Sequence, residues 1–353
     1  MTPTTAALPK LFPSAAHAED FHPRRLLSNG HLQTIAGNFL PRPNHLGPPE
    51  SVLVEVSPAT KYQIASQVLC HCHWQPSERC STAPTAIILH GLEGSSNSQY
   101  VLGNASKLWQ SGANAIRMNM RNCGGTERES PTLYHSGLSG DVLAVLRFFA
   151  ERDRLTSIAL VGYSMGGNLV LKLAGELAAL GPDTPPQLRS IIGVSPAMDL
   201  GPSADALHEP ANRLYERRFL HALLKRFRRK AALFPRAFDA ARADDVRSLR
   251  DFDHRITAFY SGFTGADDYY HRAAASRVLD RITVPTLILH ALDDPFVRLS
   301  PETRAKILAN PHISFIEPAH GGHCAFLARP DRASGYDGYW AEHTLLRFLL
   351  ANK

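Results

Sequence analysis

The sequence predicts an α/β fold: a mostly parallel central sheet flanked by helices, interrupted by a mainly helical insertion. Three observations lead there. Short apolar runs ending in glycine or polar loop residues alternate with amphipathic helical stretches before residue 198 and again after 282. Between them, residues 199–281 carry few strand signals, many helix formers and dense charge. A chain of 353 residues with 44% hydrophobic content can also bury one large core.

In chain order, residues 1–28 read as a loose N-terminal extension. The core then takes residues 29–198 and 282–353, and the insertion 199–281 reads as a helical cap between the sixth and seventh strands. Residues 66–74 alternate as a strand. Within them Cys70-His71-Cys72-His73 would point to opposite faces in turn, and no second ligand pair at finger-like spacing follows, so no metal is expected. Thr85-Ala86-Ile87-Ile88-Leu89 is a buried strand that runs into the glycine-containing loop His90-Gly91-Leu92-Glu93-Gly94.

The richest stretch is Val161-Gly162-Tyr163-Ser164-Met165-Gly166-Gly167-Asn168. An apolar run over 157–161 stops at Gly162, and Leu169, Val170, Leu171, Leu173 and Leu177 give the following helix an apolar surface. Ser164 falls at the corner. A sharp strand-to-helix turn strains its central residue and leaves no room for side chains two positions away, so Gly162 and Gly166 fit a G-x-S-x-G turn that presents a serine nucleophile. Such a turn aims the N–H of the next residue, Met165, at a developing oxyanion, and Leu92 is the candidate second donor.

A serine hydroxyl is a weak nucleophile at neutral pH and needs a base and an orienting acid. The strand over 284–289 leads into Asp293-Asp294-Pro295-Phe296, and the strand over 312–316 into His320-Gly321-Gly322-His323. Asp293 and Asp294 compete as the acid. Asp199, after Ser195-Pro196, is a third carboxylate, expected to cap a helix instead. Of the two histidines, His323 follows the flexible Gly321-Gly322 and precedes Ala325-Phe326-Leu327, which would tether it, and is preferred over His320.

The motifs, taken together and in this order, resemble the YheT-like α/β-hydrolases, bacterial relatives of eukaryotic abhydrolase-domain lipid esterases. They run from Asn29-Gly30-His31-Leu32-Gln33-Thr34 through the His90 loop, Asn119-Met120-Arg121-Asn122-Cys123-Gly124-Gly125 and Tyr134-His135-Ser136-Gly137 to the Ser164 turn. Beyond it follow Ser195-Pro196, Asp267-Asp268-Tyr269-Tyr270, the Asp293-Asp294 pair and Gly321-Gly322-His323. In the family register, a proline stands four residues after the acid; Arg298 takes its place here, which favours Asp294. The family usually has proline where Gly30 stands. The resemblance implies a Ser164, Asp294, His323 triad, an oxyanion hole from Leu92 and Met165, and no cofactor. It implies a serine carboxylic ester hydrolase for short- or medium-chain acyl esters or acylglycerol- and lipid-like esters. An acyltransferase using the same acyl-enzyme and a non-catalytic hydrolase-fold binding protein are the alternatives.

The formal charge of +6 is concentrated. Residues 199–281 hold 16 Lys and Arg against 12 Asp and Glu, and residues 213–230 hold eight basic side chains with Glu216 as the single acid. Phe219, Leu223 and Phe227 recur every four residues there, beside Leu220 and Leu224, and are flanked by Arg217, Arg218, Lys225, Arg228 and Arg229. Two readings follow: a face for peripheral contact with anionic lipid, or a helix whose apolar side covers the core while its basic side is solvated. No nucleic-acid recognition motif accompanies the charge. Five cysteines form no even framework, Pro9, Lys10 and Pro13 break any signal-peptide run, and no stretch reaches membrane-span length. A cytoplasmic protein with reduced thiols is expected.

Overall fold

The computed structural model describes residues 21–61, 63–331 and 333–353. Eight strands form one sheet: β1 (Glu50–Ser57), β2 (Ser66–His73), β3 (Thr85–Leu89), β4 (Asn114–Met118), β5 (Ile158–Tyr163), β6 (Leu188–Val194), β7 (Thr286–Leu289) and β8 (Ile313–Ile316). Their order is β1-β2-β4-β3-β5-β6-β7-β8, with β1–β2 and β2–β4 antiparallel and every later pairing parallel. Every residue of the central strands β3, β4 and β5 is buried, which is why β3 and β5 read as apolar runs, while β4 buries Asn114 and Arg117 as well. The edge strand β1 alternates instead.

Helices cover both faces. One core lies under the helices Gln99–Gln110 and Trp340–Ala351, and the other under Ser139–Arg152 and Met165–Glu176. Phe21, in the stretch read as loose, is buried edge-on against Phe326 and Trp340, and Pro23 bridges to Ala328. Aromatic burial thus anchors the described end of that stretch; residues 1–20 lie outside the described residues.

Cys70 and Cys72 fill the core, while His71 Nδ1 meets the Ser96 hydroxyl at 3.0 Å and the Arg117 guanidinium donates to His73 Nε2. Among the described residues no helix is long and apolar enough to cross a membrane.

Between β6 and β7 the chain leaves the sheet and forms no strand. Leu200–His208, Arg213–Leu233, Leu249–Phe252, Phe259–Ser261 and Ala266–Ala273 are α-helices, and Asp253–Ala258 is a π-helical turn. Leu223 and Phe227 of the long helix are buried and Leu220 and Leu224 pack against the core, so its apolar stripe is turned inward. Arg217, Arg218, Lys225, Arg228 and Arg229 are exposed. Arg226 and Lys230 of this helix are not solvated with them. Lys230 is fully buried, donating to Asn122 Oδ1 (2.7 Å), Glu127 O (2.8 Å) and Ser130 O. Burial lowers its pKa to about 7 against a weaker opposing pull from Glu127.

The loop after β4 is braced by a buried ion pair. Arg121 Nε donates to Asp141 Oδ2 at 2.6 Å and its Nη2 to Oδ1 at 2.5 Å, both side chains being 7% exposed. Removing one charge leaves the other buried without its counter-ion, which typically costs about 3–5 kcal/mol. Asp141→Ala is therefore expected to lower the unfolding free energy by about that amount in urea titrations. A loss below about 1 kcal/mol would mean that Thr132, Ser57 and Ser66, which also accept from the guanidinium, hold it unaided.

Candidate active site

Ser164 joins β5 to the helix Met165–Glu176 with φ 54° and ψ −115°, outside the basins that L-residues favour. The neighbouring backbone makes this turn possible only with glycines around it. A Cβ on Gly162 would lie 2.1 Å from Gly166 O, one on Gly166 2.5 Å from His90 O, and one on Gly167 2.8 Å from Pro196 Cβ. Met165 is the first helical residue, so its N–H has no acceptor inside the helix and points out of its N-terminus.

The loop after β3 approaches from the other side. His90 is buried, accepting from Met120 N–H at Nε2 (3.1 Å); its proton is thereby on Nδ1, which donates to Gly91 O (2.8 Å). Burial holds this imidazole at a pKa of about 4, so it stays neutral. Gly91 N–H donates to Tyr100 Oη, and a Cβ on Gly91 would sit 3.1 Å from Ser164 Cβ. Leu92, Ser164 and Met165 line one pocket.

His323 and Asp294 meet after β8 and β7. The imidazole Nδ1 lies 2.8 Å from Asp294 Oδ2, with side chains 10% and 1% exposed, while Asp294 Oδ1 accepts from the N–H groups of Phe296 (3.2 Å) and Val297 (2.9 Å). Burial works against the charged imidazolium, but its interactions with Cys324 and with the Asp294 carboxylate outweigh it and raise the histidine above its ordinary value. Burial likewise pushes the Asp294 carboxyl up, yet the charge and hydrogen bond of His323 and the Val297 N–H hold it below the usual carboxylate range. The Phe296 ring packs 4.4 Å from the His323 ring and also lines the pocket with Ser164.

The other candidates lie elsewhere. Asp293 Oδ1 accepts from Gly322 N–H at 2.8 Å, and its carboxylate faces His320 at 3.5 Å. This pair braces the histidine loop from outside. Asp199 occupies the N-cap position of Leu200–His208 but makes no hydrogen bond there; it accepts instead from Ser300 N–H and Thr303 Oγ1, tying the helix Pro301–Ala309 to the insertion. It thus stands at the expected N-cap position while its carboxylate is engaged by the Ser300 backbone and the Thr303 hydroxyl.

Sequence reasoning gave no role to Gln33 and Thr34, on the helix Gly30–Phe39. Thr34 Oγ1 accepts from His323 N–H at 2.8 Å, and the Gln33 amide bridges Leu327 N–H and Leu327 O. Gly30 lies so close to the Asp293 carbonyl that a Cβ would be 1.9 Å away, so a side chain there requires the Asp293 loop to shift. Arg226 was missed too. Its Nε donates to Glu93 Oε1 (2.9 Å) and its Nη1 to Asn122 O, fastening the long inserted helix to the loop that carries Leu92.

The pocket is walled by Leu133, Leu200, Leu207, Leu223, Phe227 and Phe252, mostly from the insertion. An apolar slot with a few placed polar groups suits a ligand with a hydrocarbon arm.

Comparison with known proteins agrees with this architecture. The family model for the α/β-hydrolase fold matches residues 84–330, more than half of the chain. The putative esterase YheT of Escherichia coli (strain K12) is 32% identical over 318 residues, covering 87% of both proteins. The monoacylglycerol lipase of Saccharomyces cerevisiae is 27% identical over 274 residues, 75% of this chain and 59% of that enzyme, so the match leaves much of the yeast protein uncovered. Among solved structures, 2,6-dihydroxy-pseudo-oxynicotine hydrolase superposes with a TM-score of 0.54 at 18% identity, over 92% of this chain and 73% of that one. The chain belongs to the α/β-hydrolases, on their YheT-like branch.

Proposed function

We propose that this esterase- and lipase-type α/β-hydrolase cleaves carboxylic esters through an acyl-enzyme on Ser164. The observation that carries the reading is a serine on a strained turn, opening on the same apolar pocket as the ring that packs against a buried His–Asp pair. Ser164 Oγ attacks the ester carbonyl carbon as His323 Nε2 takes its proton. The C–O bond to the alcohol then breaks, and His323 returns the proton to the leaving oxygen. Water, deprotonated by the same nitrogen, releases the acid and restores the serine. The N–H groups of Leu92 and Met165 stabilise the tetrahedral oxyanion; one such donor is typically worth about 10²–10³ in turnover. Asp294 fixes the tautomer that leaves Nε2 free and stabilises the imidazolium.

We assign residues 199–281 as a cap that supplies the walls of the substrate pocket. Short- or medium-chain acyl esters or acylglycerol- and lipid-like esters suit an apolar slot of this kind, and the names of the bacterial and yeast relatives, a putative esterase and a monoacylglycerol lipase, favour that class. The inward stripe of the helix Arg213–Leu233 leaves its exposed arginines as the part of the cap able to meet anionic lipid.

A serine-directed fluorophosphonate is expected to label Ser164, and Ser164→Ala to abolish labelling with a fall in kcat on the order of 10⁶. Equal labelling of the two proteins would sink the assignment. Asp294→Asn should lower kcat by about 10³–10⁴. Because the base acts when neutral and Asp294 raises its pKa, kcat/KM rises with pH through the His323 titration, and removing the carboxylate moves that limb to lower pH. Asp293→Asn keeps an oxygen for the Gly322 N–H and should leave the limb in place; a shift with this variant instead would make Asp293 the acid.

A further inference from the structure

Asp253 is the one carboxylate among the residues lining the pocket, and the acyl-transfer chemistry gives it nothing to do. It opens the π-helical turn Asp253–Ala258, a rare conformation that recurs at ligand sites. Its Oδ1 accepts from Thr257 Oγ1 and its Oδ2 from Tyr270 Oη, both at 2.8 Å. Both donors are neutral hydroxyls. Among the described residues Asp253 has no ion-pair partner: the field of Arg250 reaches it, but that guanidinium is engaged by Asp205 at 2.8 Å and Asp267 at 2.5 Å. Burial raises the carboxyl to about 6 against the Tyr270 and Thr257 hydrogen bonds and the field of Arg250.

A carboxylate oxygen can accept two hydrogen bonds, so each oxygen of Asp253 has one acceptor site unfilled by protein. The same pocket is walled by Leu207, Leu223, Phe227, Leu249 and Phe252. A purely hydrocarbon ligand filling it would strip water from this carboxylate and return nothing, an unfavourable arrangement. A ligand arm with a hydrogen-bond donor after its hydrocarbon stretch would satisfy both surfaces.

We propose that Asp253 is a specificity-determining residue: the pocket takes esters whose apolar arm carries a hydroxyl or amino group, and Asp253 accepts the hydrogen bond from that group. The proposal rests on Ser164 as the nucleophile of the same pocket. It extends that reading from esters in general to esters of hydroxylated or aminated acyl chains.

The test compares p-nitrophenyl esters of acyl chains of six to ten carbons, each ending in a methyl, a hydroxyl or an amino group. A hydrogen bond to a charged group is worth about 1.5–3 kcal/mol, so kcat/KM should favour a donor-ended ester over its methyl-ended match by about tenfold or more at the chain length that reaches Asp253. In Asp253→Leu the preference should invert. In Asp253→Asn, which keeps the size of the side chain should the leucine variant fail to fold, it should shrink at least severalfold. Preference for the methyl-ended ester at every length, or an unchanged ratio in Asp253→Asn, would overturn the proposal while leaving Ser164 hydrolysis intact. Absence of fluorophosphonate labelling and of p-nitrophenyl acetate turnover in the wild type would instead sink both readings at Ser164.

Discussion

The backbone of Ser164 sits at φ 54° and ψ −115°, a conformation that costs a residue with a Cβ about 1–3 kcal/mol and persists only where its surroundings leave no alternative. Those surroundings are the central strands. β3 and β5 pair in parallel with Leu89 opposite Gly162, which sets the His90 carbonyl against Gly166 and closes the turn from one side. Ser164 N–H donates to Val194 O at the end of β6, and Ala197 N–H to Ser164 O, which closes it from the other. The serine is therefore held by three strand ends at once, each fully buried and unable to relax.

The same carboxyl edge carries further non-glycine residues at positive φ: Glu93 after β3, Asn122 after β4, Ser195 after β6, and Cys324 and Phe326 after β8. Each is fixed by bonds to a neighbouring loop. Cys324 N–H donates to Ser195 Oγ, the Asn122 side chain holds Thr132 O and Lys230, and Glu93 is pinned by Tyr134 and Arg226. Strain concentrated at one edge and offset by a rigid sheet below it is the expected layout of a preorganised site.

How much of this the sequence disclosed follows the range of the interactions. β3 was legible because both its faces are buried, so four consecutive apolar residues, Ala86, Ile87, Ile88 and Leu89, mark it, and the turn at Ser164 was legible because Gly162, where a Cβ would meet Gly166 O, stands only four residues from its partner. The order of the catalytic candidates was legible from motif succession. Thr34 and Gln33 were not, since they bond across 289 and 294 residues of chain to a loop whose position nothing local sets. Within the inserted helix, the apolar stripe could be read by period, but nothing distinguished Arg226 and Lys230 from the solvated arginines beside them. Their partners, Glu93, Asn122, Glu127 and Ser130, come from loops about a hundred residues earlier. Asp253 was hidden for the same reason, as one of 12 acidic residues in a charged segment.

The link from Arg226 to Glu93 couples the insertion to the loop that carries Leu92. The insertion shares one apolar cluster with the sheet, Leu223, Phe227, Phe252 and Ile256 packing in the same core as Ile87, Ile116 and Leu160, and the Arg226 link adds a polar tie at its rim. Because Arg226 holds the residue next to Leu92, opening of the long inserted helix frees the loop on which the proposed oxyanion donor sits, though every strand is still paired. The insertion therefore ties the apolar wall of the pocket to the loop of Leu92, so that a change in one is carried to the other.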